Sequence, residues 1–411
     1  MTDTPITDVD LKHNQQAAFE DAIDPIRTAF NDMGTVTRST IVSIQSSQGL
    51  SRLRDVIKTE GTGTDVDSVN TGELYIETGA TQESSAILET AEFGQYTAGL
   101  IAQCGIGIRA PSLPTEDAFA RWGYYDDING FYFGVDSDGL FVGLKRDGNE
   151  IRKVYRDDWN GTDPDKVRDE GNEFHPAEGA IYQVDYAWYG YGGIEFKIVS
   201  ANNDNEQKVV TVHRMTIDDS TSITNPNQPI RAEVDNNGTE DNIELFVGGR
   251  QYCILGDSAP NDRISSDAII ATTVANGDWT AVKSFRRKPD NDRRANARIK
   301  DFGIESDADI RVAYVLNPDI GGTPTWEDPE LIPADETMFE FSDDAEFSGL
   351  GDGIKIWEGI VPVGAQGNVE GSLTLAEIRQ IIPRDQPVIM IAQGLGSTAE
   401  VDAVIRVQED W

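Results

Sequence analysis

Hydrophobic positions along the chain follow two different periods. Over residues 14–34, Phe19, Ile23, Ile26, Phe30 and Met33 are spaced 4, 3, 4 and 3 apart, which places them on one stripe of a helix. Asp24-Pro25 interrupts the segment, because proline kinks or breaks a helix from within. Asp24 as N-cap with Pro25 at the first helical position starts a second helix on the same stripe. Gly34 ends the segment on either reading. The stripe suits packing on its own domain or a self-associating seam. A short helix is expected around Leu50, Leu53 and Ile57, and "EGTGTD" at 60–65 reads as a linker.

From about residue 70 the period changes to two. In "GFYFGVDSDGLFVGLKRDG" (130–148), Phe131, Phe133 and Val135 share one face. A turn follows at Asp136–Gly139, and a second strand passes through Val142 and Leu144, which predicts a hairpin. In "YQVDYAWYGYGG" (182–193), Tyr182, Val184, Tyr186 and Trp188 share a face and are assigned to a core. Tyr189 and Tyr191 fall at the tip of the turn that returns as Ile194, Phe196 and Ile198. "KVVTVHRMTI", "IRAEVD", "IELFVGG" and "QYCILG" add further strands. "GDSAPNDRISSD" (256–267) marks a boundary, and a second strand-rich region runs from there to "DAVIRVQEDW". One helix is expected within it, at 373–383, where Leu375, Ile378 and Ile382 share a face. Short strands with Gly, Asn and Asp turns predict a mainly β protein: an antiparallel, jelly-roll-like β-sandwich at 66–260, a second β domain at 261–411, and a helical docking or oligomerisation segment at 1–65.

Charge narrows the class. The chain has 72 acidic and 34 basic residues among 411, a net charge of −38, and the acids are spread along its whole length. Such self-repulsion opposes compaction at low salt but is largely screened near molar salt, where the Debye length is roughly 3 Å. Arg outnumbers Lys. An acid-rich, Lys-poor surface of this kind resembles haloarchaeal proteins; the alternative is an acidic protein kept soluble by its charge. Cys104 and Cys253 stand alone and read as small buried hydrophobes. No apolar run is long enough for a membrane span, and "MTDTPITDVDLKHNQQ" has no export-signal pattern, so assembly in a cytoplasm is expected.

No catalytic constellation is visible. The three histidines, His13, His175 and His213, are far apart in sequence, and no nucleophile-elbow, zincin or phosphate-loop motif occurs. A polysaccharide hydrolase built on two carboxylates is the enzymatic alternative, but paired acids carry little information in so acidic a chain. "GVDSDG" (134–139, with Asp136 and Asp138) is read as a turn, since it lacks the final Glu of an EF-hand loop. No metal and no cofactor are expected. The basic segment "KSFRRKPDNDRRANARIK" (283–300) reads as a strand–loop–strand, with Arg286, Arg287, Arg293, Arg294 and Arg298 pairing with acids of its own or a neighbouring subunit. Nucleic acid is not expected as a partner, because the remaining charge would repel phosphates. "DDWNGTDPD" (157–165) sets Trp159 beside Asn160, Asp163 and Asp165. This is equipment for holding a sugar by stacking and hydroxyl recognition, or a ring that anchors the loop to the sandwich. The sequons at Asn160 and Asn237 carry little weight without an export signal.

The order "INGFYFGVDSDGLFVGLKRDG", "DDWNGTD", "IYQVDYAWYGYGGIEFKI", a strand carrying His213, and "NPNQPIRAE" resembles a module of structural proteins from tailed viruses over roughly residues 120–235. "FRRKPDND", "VAYVLNPDIGGTPTW" and the final "VQEDW" are similar to the end of such proteins. With the acidic composition, the resemblance implies a non-catalytic virion protein of a haloarchaeal tailed virus. A compact surface protrusion or tail component fits better than a long fibre, because no shaft repeat is present. It further implies a homo-oligomer, trimer or pentamer, that contacts other virion proteins and host-surface glycans. On this reading Phe19, Ile23, Ile26 and Phe30 form the docking seam, and Trp159, Asn160, Asp163, Tyr189 and Tyr191 are the candidates for glycan contact. The alternative is a haloarchaeal carbohydrate-binding protein acting outside a virion.

Overall fold

A computed structural model describes residues 38–410, apart from 62–64, 82, 112, 169–172, 202–206, 218–219, 257–261, 290, 292, 363–381 and 383–385. The seam at Phe19, Ile23, Ile26 and Phe30, and the body of the helix expected at 373–383, lie outside the described residues. Strands are numbered in chain order.

Two antiparallel sheets face each other in the first half. One contains β1 (Arg38–Ile44), β3 (Asp65–Ser68), β4 (Leu74–Glu77), β6 (Ile101–Arg109), β11 (Ala180–Tyr186), β12 (Ile194–Ala201), β13 (Gln207–Met215) and β15 (Glu244–Leu255). Its order is β13-β12-β11-β6-β15-β4-β3, with β1 also paired to β15. The other contains β2 (Asp55–Glu60), β5 (Ser85–Thr90), β7 (Phe119–Tyr125), β8 (Gly130–Asp136), β9 (Gly139–Arg146), β10 (Asn149–Tyr155) and β14 (Ile230–Asp235), in the order β10-β9-β8-β7-β14-β5-β2.

The alternation of side chains builds the core between these sheets. Phe131, Phe133 and Val135 on β8 and Val142 and Leu144 on β9 point inward, with Phe133 opposite Val142 in the hairpin register. Tyr182, Val184 and Tyr186 on β11 meet them from the facing sheet. Ring centroids of Tyr182 lie 4.9 Å from Trp122 and 5.0 Å from Phe133, and those of Tyr124 lie 5.4 Å from Tyr186 and 5.1 Å from Tyr252. Each such buried side chain contributes about 1.5–3 kcal/mol, and the ring geometry adds about 0.5–1.5 kcal/mol per pair. Cys104 and Cys253 are buried free thiols.

The second half repeats the principle with β16 (Asp262–Val274), β17 (Thr280–Arg287), β18 (Asn296–Ser306), β19 (Ile310–Leu316), β20 (Asp319–Gly321), β21 (Phe339–Ser342), β22 (Glu346–Gly349), β23 (Ile354–Val361), β24 (Val388–Gly394) and β25 (Ala399–Asp410). A three-stranded sheet, β16-β25-β18, packs on a five-stranded one, β21-β17-β24-β19-β23, while β20 and β22 pair separately. Phe285, Phe302, Tyr314, Phe341, Met390, Ile405 and Val407 belong to the core between them, and Ile382 is buried there too.

The protein is therefore mainly β, with no helix longer than a short 3₁₀ turn among the described residues. This corrects the expected helix around Leu50, Leu53 and Ile57, and places strands in the described part of the segment expected to be helical up to residue 65. The three side chains share a helical spacing but not a destination. Leu50 packs on the first core, Leu53 on the second, and Ile57 is exposed on β2. The first sandwich thus takes its strands from Arg38 to Leu255.

Named polar contacts fix the two halves together. The Asn296 side chain accepts from Phe93 N–H and donates to Phe93 C=O, both at 2.9 Å and both buried. Gln95 donates to the Asp410 carbonyl at 2.6 Å, and Asn227 donates to the Arg294 carbonyl at 3.0 Å. Arg294 itself pairs with Asp126 and donates to Gln228.

Candidate functional site

The turn between β11 and β12 carries the candidate site. Trp188 packs inward and donates its indole N–H to the Ile223 carbonyl at 3.1 Å. Gly192 then folds the chain back, its N–H donating to the Trp188 carbonyl at 2.7 Å. A Cβ at 192 would stand 1.5 Å from the Ala187 carbonyl oxygen, so only glycine fits. The crossing holds Tyr189 at φ +36°, a left-handed conformation that a tyrosine adopts at a cost of about 1–3 kcal/mol. Two contacts outside the turn hold it there. The Tyr189 N–H donates to the Tyr96 hydroxyl at 3.3 Å, and the Ser222 N–H donates to the Gly190 carbonyl at 3.1 Å.

A braced base lies beneath. Tyr96 stacks on Tyr186 with centroids 5.7 Å apart and meets Trp188 edge-on at 6.0 Å. Burial raises the Tyr96 pKa against the opposing N–H groups of Tyr189 and Gly99, so its hydroxyl stays protonated. Above this base Tyr189 is 53% exposed and Tyr191 is 71% exposed. Two rings at an end of the sandwich, with ordered backbone under them, offer stacking faces and phenolic hydroxyls to a ligand.

The other sequence candidates are used inside the fold. Trp159 donates its N–H to the Val154 carbonyl at 3.1 Å and meets Phe133 edge-on, centroids 6.5 Å apart. Asn160 pairs like a peptide group with β13: its amide donates to the Arg214 carbonyl at 2.8 Å and its oxygen accepts from Arg214 N–H at 2.7 Å. Its own N–H reaches His213 Nδ1 at 3.3 Å. Burial and the Arg152 charge lower the His213 pKa, which keeps this acceptor nitrogen unprotonated. Asp163 caps a 3₁₀ turn by accepting from Asp165 N–H at 2.9 Å, and pairs with Arg156 at 2.7 Å. Trp159 and Tyr189 consequently belong to different surroundings, Phe133 with Val154 in one case and Tyr96 in the other.

The basic segment spans β17, a loop and β18. Within the chain Arg286 pairs with Glu340, Arg294 with Asp126 and Arg298 with Asp410, each residue from a different strand or loop. Arg293 donates to the Asp335 carbonyl, and Arg287 reaches the Ile382 carbonyl at 3.4 Å. Asp136, the first acid of "DSDG", accepts from Asp138 N–H at 2.9 Å and is engaged by Lys153 and Tyr155, so the turn supplies its own counter-charge. Among the described residues no group of three or more His, Cys, Asp or Glu side chains is placed to hold a metal.

One surface was missed by the sequence reading: the outer face of the seven-stranded sheet. Because β8 and β9 alternate, the residues opposite the core-facing ones are Tyr132, Gly134 and Asp136, then Phe141, Gly143 and Lys145. Tyr125, Tyr132 and Phe141 form a separate buried cluster there with Tyr155 alongside. The rings lie across neighbouring strands: a Cβ on Gly143 would meet the Tyr132 ring at 2.3 Å. Cations cover them, with Arg121 5.2 Å from the Tyr132 centroid and Lys153 4.1 Å from that of Phe141. The signal was available as aromatics and glycines at the positions expected to face water.

No protein-family model matches the chain, and no curated protein matches it. Among solved structures it is similar to peanut lectin with a nine-residue peptide (8% identity, TM-score 0.33, 55% of this chain and 100% of that one). It is similar to lectin II from Ulex europaeus (10% identity, TM-score 0.33, 53% and 99%). It is also similar to a protein of unknown function from Shewanella oneidensis MR-1 (7% identity, TM-score 0.31, 63% and 100%). Similarity this low carries no inference about what this chain binds.

Proposed function

We propose that this chain is a structural component of the virion of a tailed virus of halophilic archaea. It is a compact surface protrusion or tail part whose aromatic turn touches glycans of the host surface. The observation that carries the contact role is the exposed pair Tyr189 and Tyr191, held on a strained turn over an ordered ring base. A ligand that stacks on such rings meets a surface whose backbone is already fixed, which lowers the ordering cost of binding. The motif order over roughly residues 120–235 and the −38 charge support the virion and halophile parts of the reading. Homo-oligomers and contacts with other virion proteins follow from the same reading.

Particles carrying Tyr189→Ala together with Tyr191→Ala test the contact. Adsorption to host cells in molar salt is expected to fall about tenfold or more, as loss of two stacking rings implies. Adsorption equal to the parent removes the turn from host contact. The same turn serves the second reading, a carbohydrate-binding protein outside any particle. Native protein recovered from virus-free culture medium would favour that one.

A further inference from the structure

The outer face of the seven-stranded sheet holds two cations whose hydrogen-bonding capacity is not fully used: Lys145, and Arg121, which also lies over the Phe119 ring, 4.0 Å from its centroid. Lys145, half-buried on β9, makes no side-chain hydrogen bond or ion pair with a described residue. Arg121, on β7, keeps its Nε buried without a partner and reaches Glu150 only at 3.4 Å. Both stand in a chain of charge −38, where acids are plentiful and the buried Lys197, Arg231, Arg250 and Lys283 each have an acidic partner. On the same face Arg231 is held by Glu89 at 2.7 Å and by Asp127, and Lys153 by Asp136. Burial depresses the Lys145 ammonium; Glu233 opposes this, while Arg121 and Arg231 add to it, so an added negative charge would stabilise the lysine.

Two carboxylates complete the group. Glu150 lies opposite Lys145 across the β9–β10 pair and accepts the Tyr132 hydroxyl at 2.7 Å. Glu233 lies opposite Arg121 across the β7–β14 pair and accepts the Tyr125 hydroxyl at 3.0 Å. These acids already bind hydroxyl groups and retain further acceptor sites. The set of Lys145, Arg121, Glu150 and Glu233 is neutral overall. A phosphate dianion or a nucleic acid would face two carboxylates, whereas a carboxylate on a hydroxyl-bearing ring finds a cation for its charge and acceptors for its hydroxyls. The four side chains are spread over the five adjacent strands β10-β9-β8-β7-β14, on the order of 20 Å at the usual strand spacing, which suits a chain of such rings better than a single small molecule.

We infer that this sheet face binds an acidic oligosaccharide, with uronate carboxylates on Lys145 and on Arg121 and ring hydroxyls on Glu150 and Glu233. The site is separate from the Tyr189–Tyr191 turn, and the inference holds whether or not the chain belongs to a particle. Calorimetric titration of the full chain with glucuronate oligosaccharides tests it, set against neutral glucose oligosaccharides of equal length and inorganic phosphate. Binding of the uronate alone is expected, at least about tenfold weaker in Lys145→Met and restored in Lys145→Arg. Lys145 has no side-chain partner to lose, so Lys145→Met keeps its melting temperature; the titrations are made in a Tyr189→Ala, Tyr191→Ala background, so that the turn adds no glycan binding of its own. Absence of uronate binding, equal binding of the neutral oligosaccharide or phosphate, or a Lys145→Met protein that binds as tightly as the parent would overturn the inference.

Discussion

His213 shows how a single side chain decides what a motif does. Its Nδ1 accepts the Asn160 N–H, and Asn160 in turn pairs with Arg214, so the Trp-Asn loop is stitched to β13. The folded-state pKa lies below the ordinary 6.5, so in the window beneath 6.5 the unfolded chain takes up the proton first. The stability from this contact is complete above pH 6.5 and declines as pH falls below it. Denaturant unfolding between pH 7.5 and 5 should show this slope, reduced in His213→Gln, whose amide oxygen can accept at any pH. An unchanged slope in the variant would remove His213 as its source. The residue scale also explains why the glycan candidates divided as they did. "DDWNGTD" contains the side chains of a sugar site, but Trp159 spends its N–H on the Val154 carbonyl and Asn160's partner is 54 residues away, which no local spacing encodes. A second test concerns Gly143, where a methyl group would enter the Tyr132 ring. Gly143→Ala should cost about 1–3 kcal/mol by overpacking and disturb the uronate site, measured by denaturant midpoint.

At the scale of elements, alternation was readable wherever one face is apolar and the other polar. Phe131 with Phe133 and Tyr182 with Tyr186 revealed β8 and β11, because a slip of one residue would expose the whole set. The region before residue 61 hid its strands for a physical reason. β2 sits at a sheet edge with Ile57 outward, while Leu50 and Leu53 leave the chain in opposite directions towards two cores. Asp55 at its start is buried 2.7 Å from Arg250, a residue far away in sequence, without hydrogen-bond alignment between them. The outer sheet face was missed because strand alternation assigns positions to faces but does not say that cations will cover rings on the wetter one. Asn296 offers the sharpest test of how the halves are joined. Asn296→Ala removes two buried hydrogen bonds to the Phe93 backbone, which should cost about 2–4 kcal/mol. Scanning calorimetry is then expected to resolve two transitions in the variant and one in the parent. A single transition at the parent temperature would mean that the contact does not couple the halves.

For the whole molecule the dominant quantity is charge. At −38 the folded chain repels itself over a Debye length of about 10 Å at 0.1 M salt, against about 3 Å at 1 M. The melting temperature should therefore climb between 0.1 and 2 M KCl, more steeply than for a neutral β protein of equal size. A flat response would separate the acidic surface from any salt adaptation. Buried ion pairs such as Arg231 with Glu89 are screened far less, so the rise reports surface charge. The proposed place of this molecule in a particle is tested most directly by gradient purification of tailed particles from a haloarchaeal culture that expresses it. Quantitative mass spectrometry of the particle band should find this chain at a fixed copy number, a multiple of three or five, with gold-labelled antibody at the tail or the capsid vertices. Particles that carry none of it, while the protein sits free in the medium or on uninfected cells, would contradict the account.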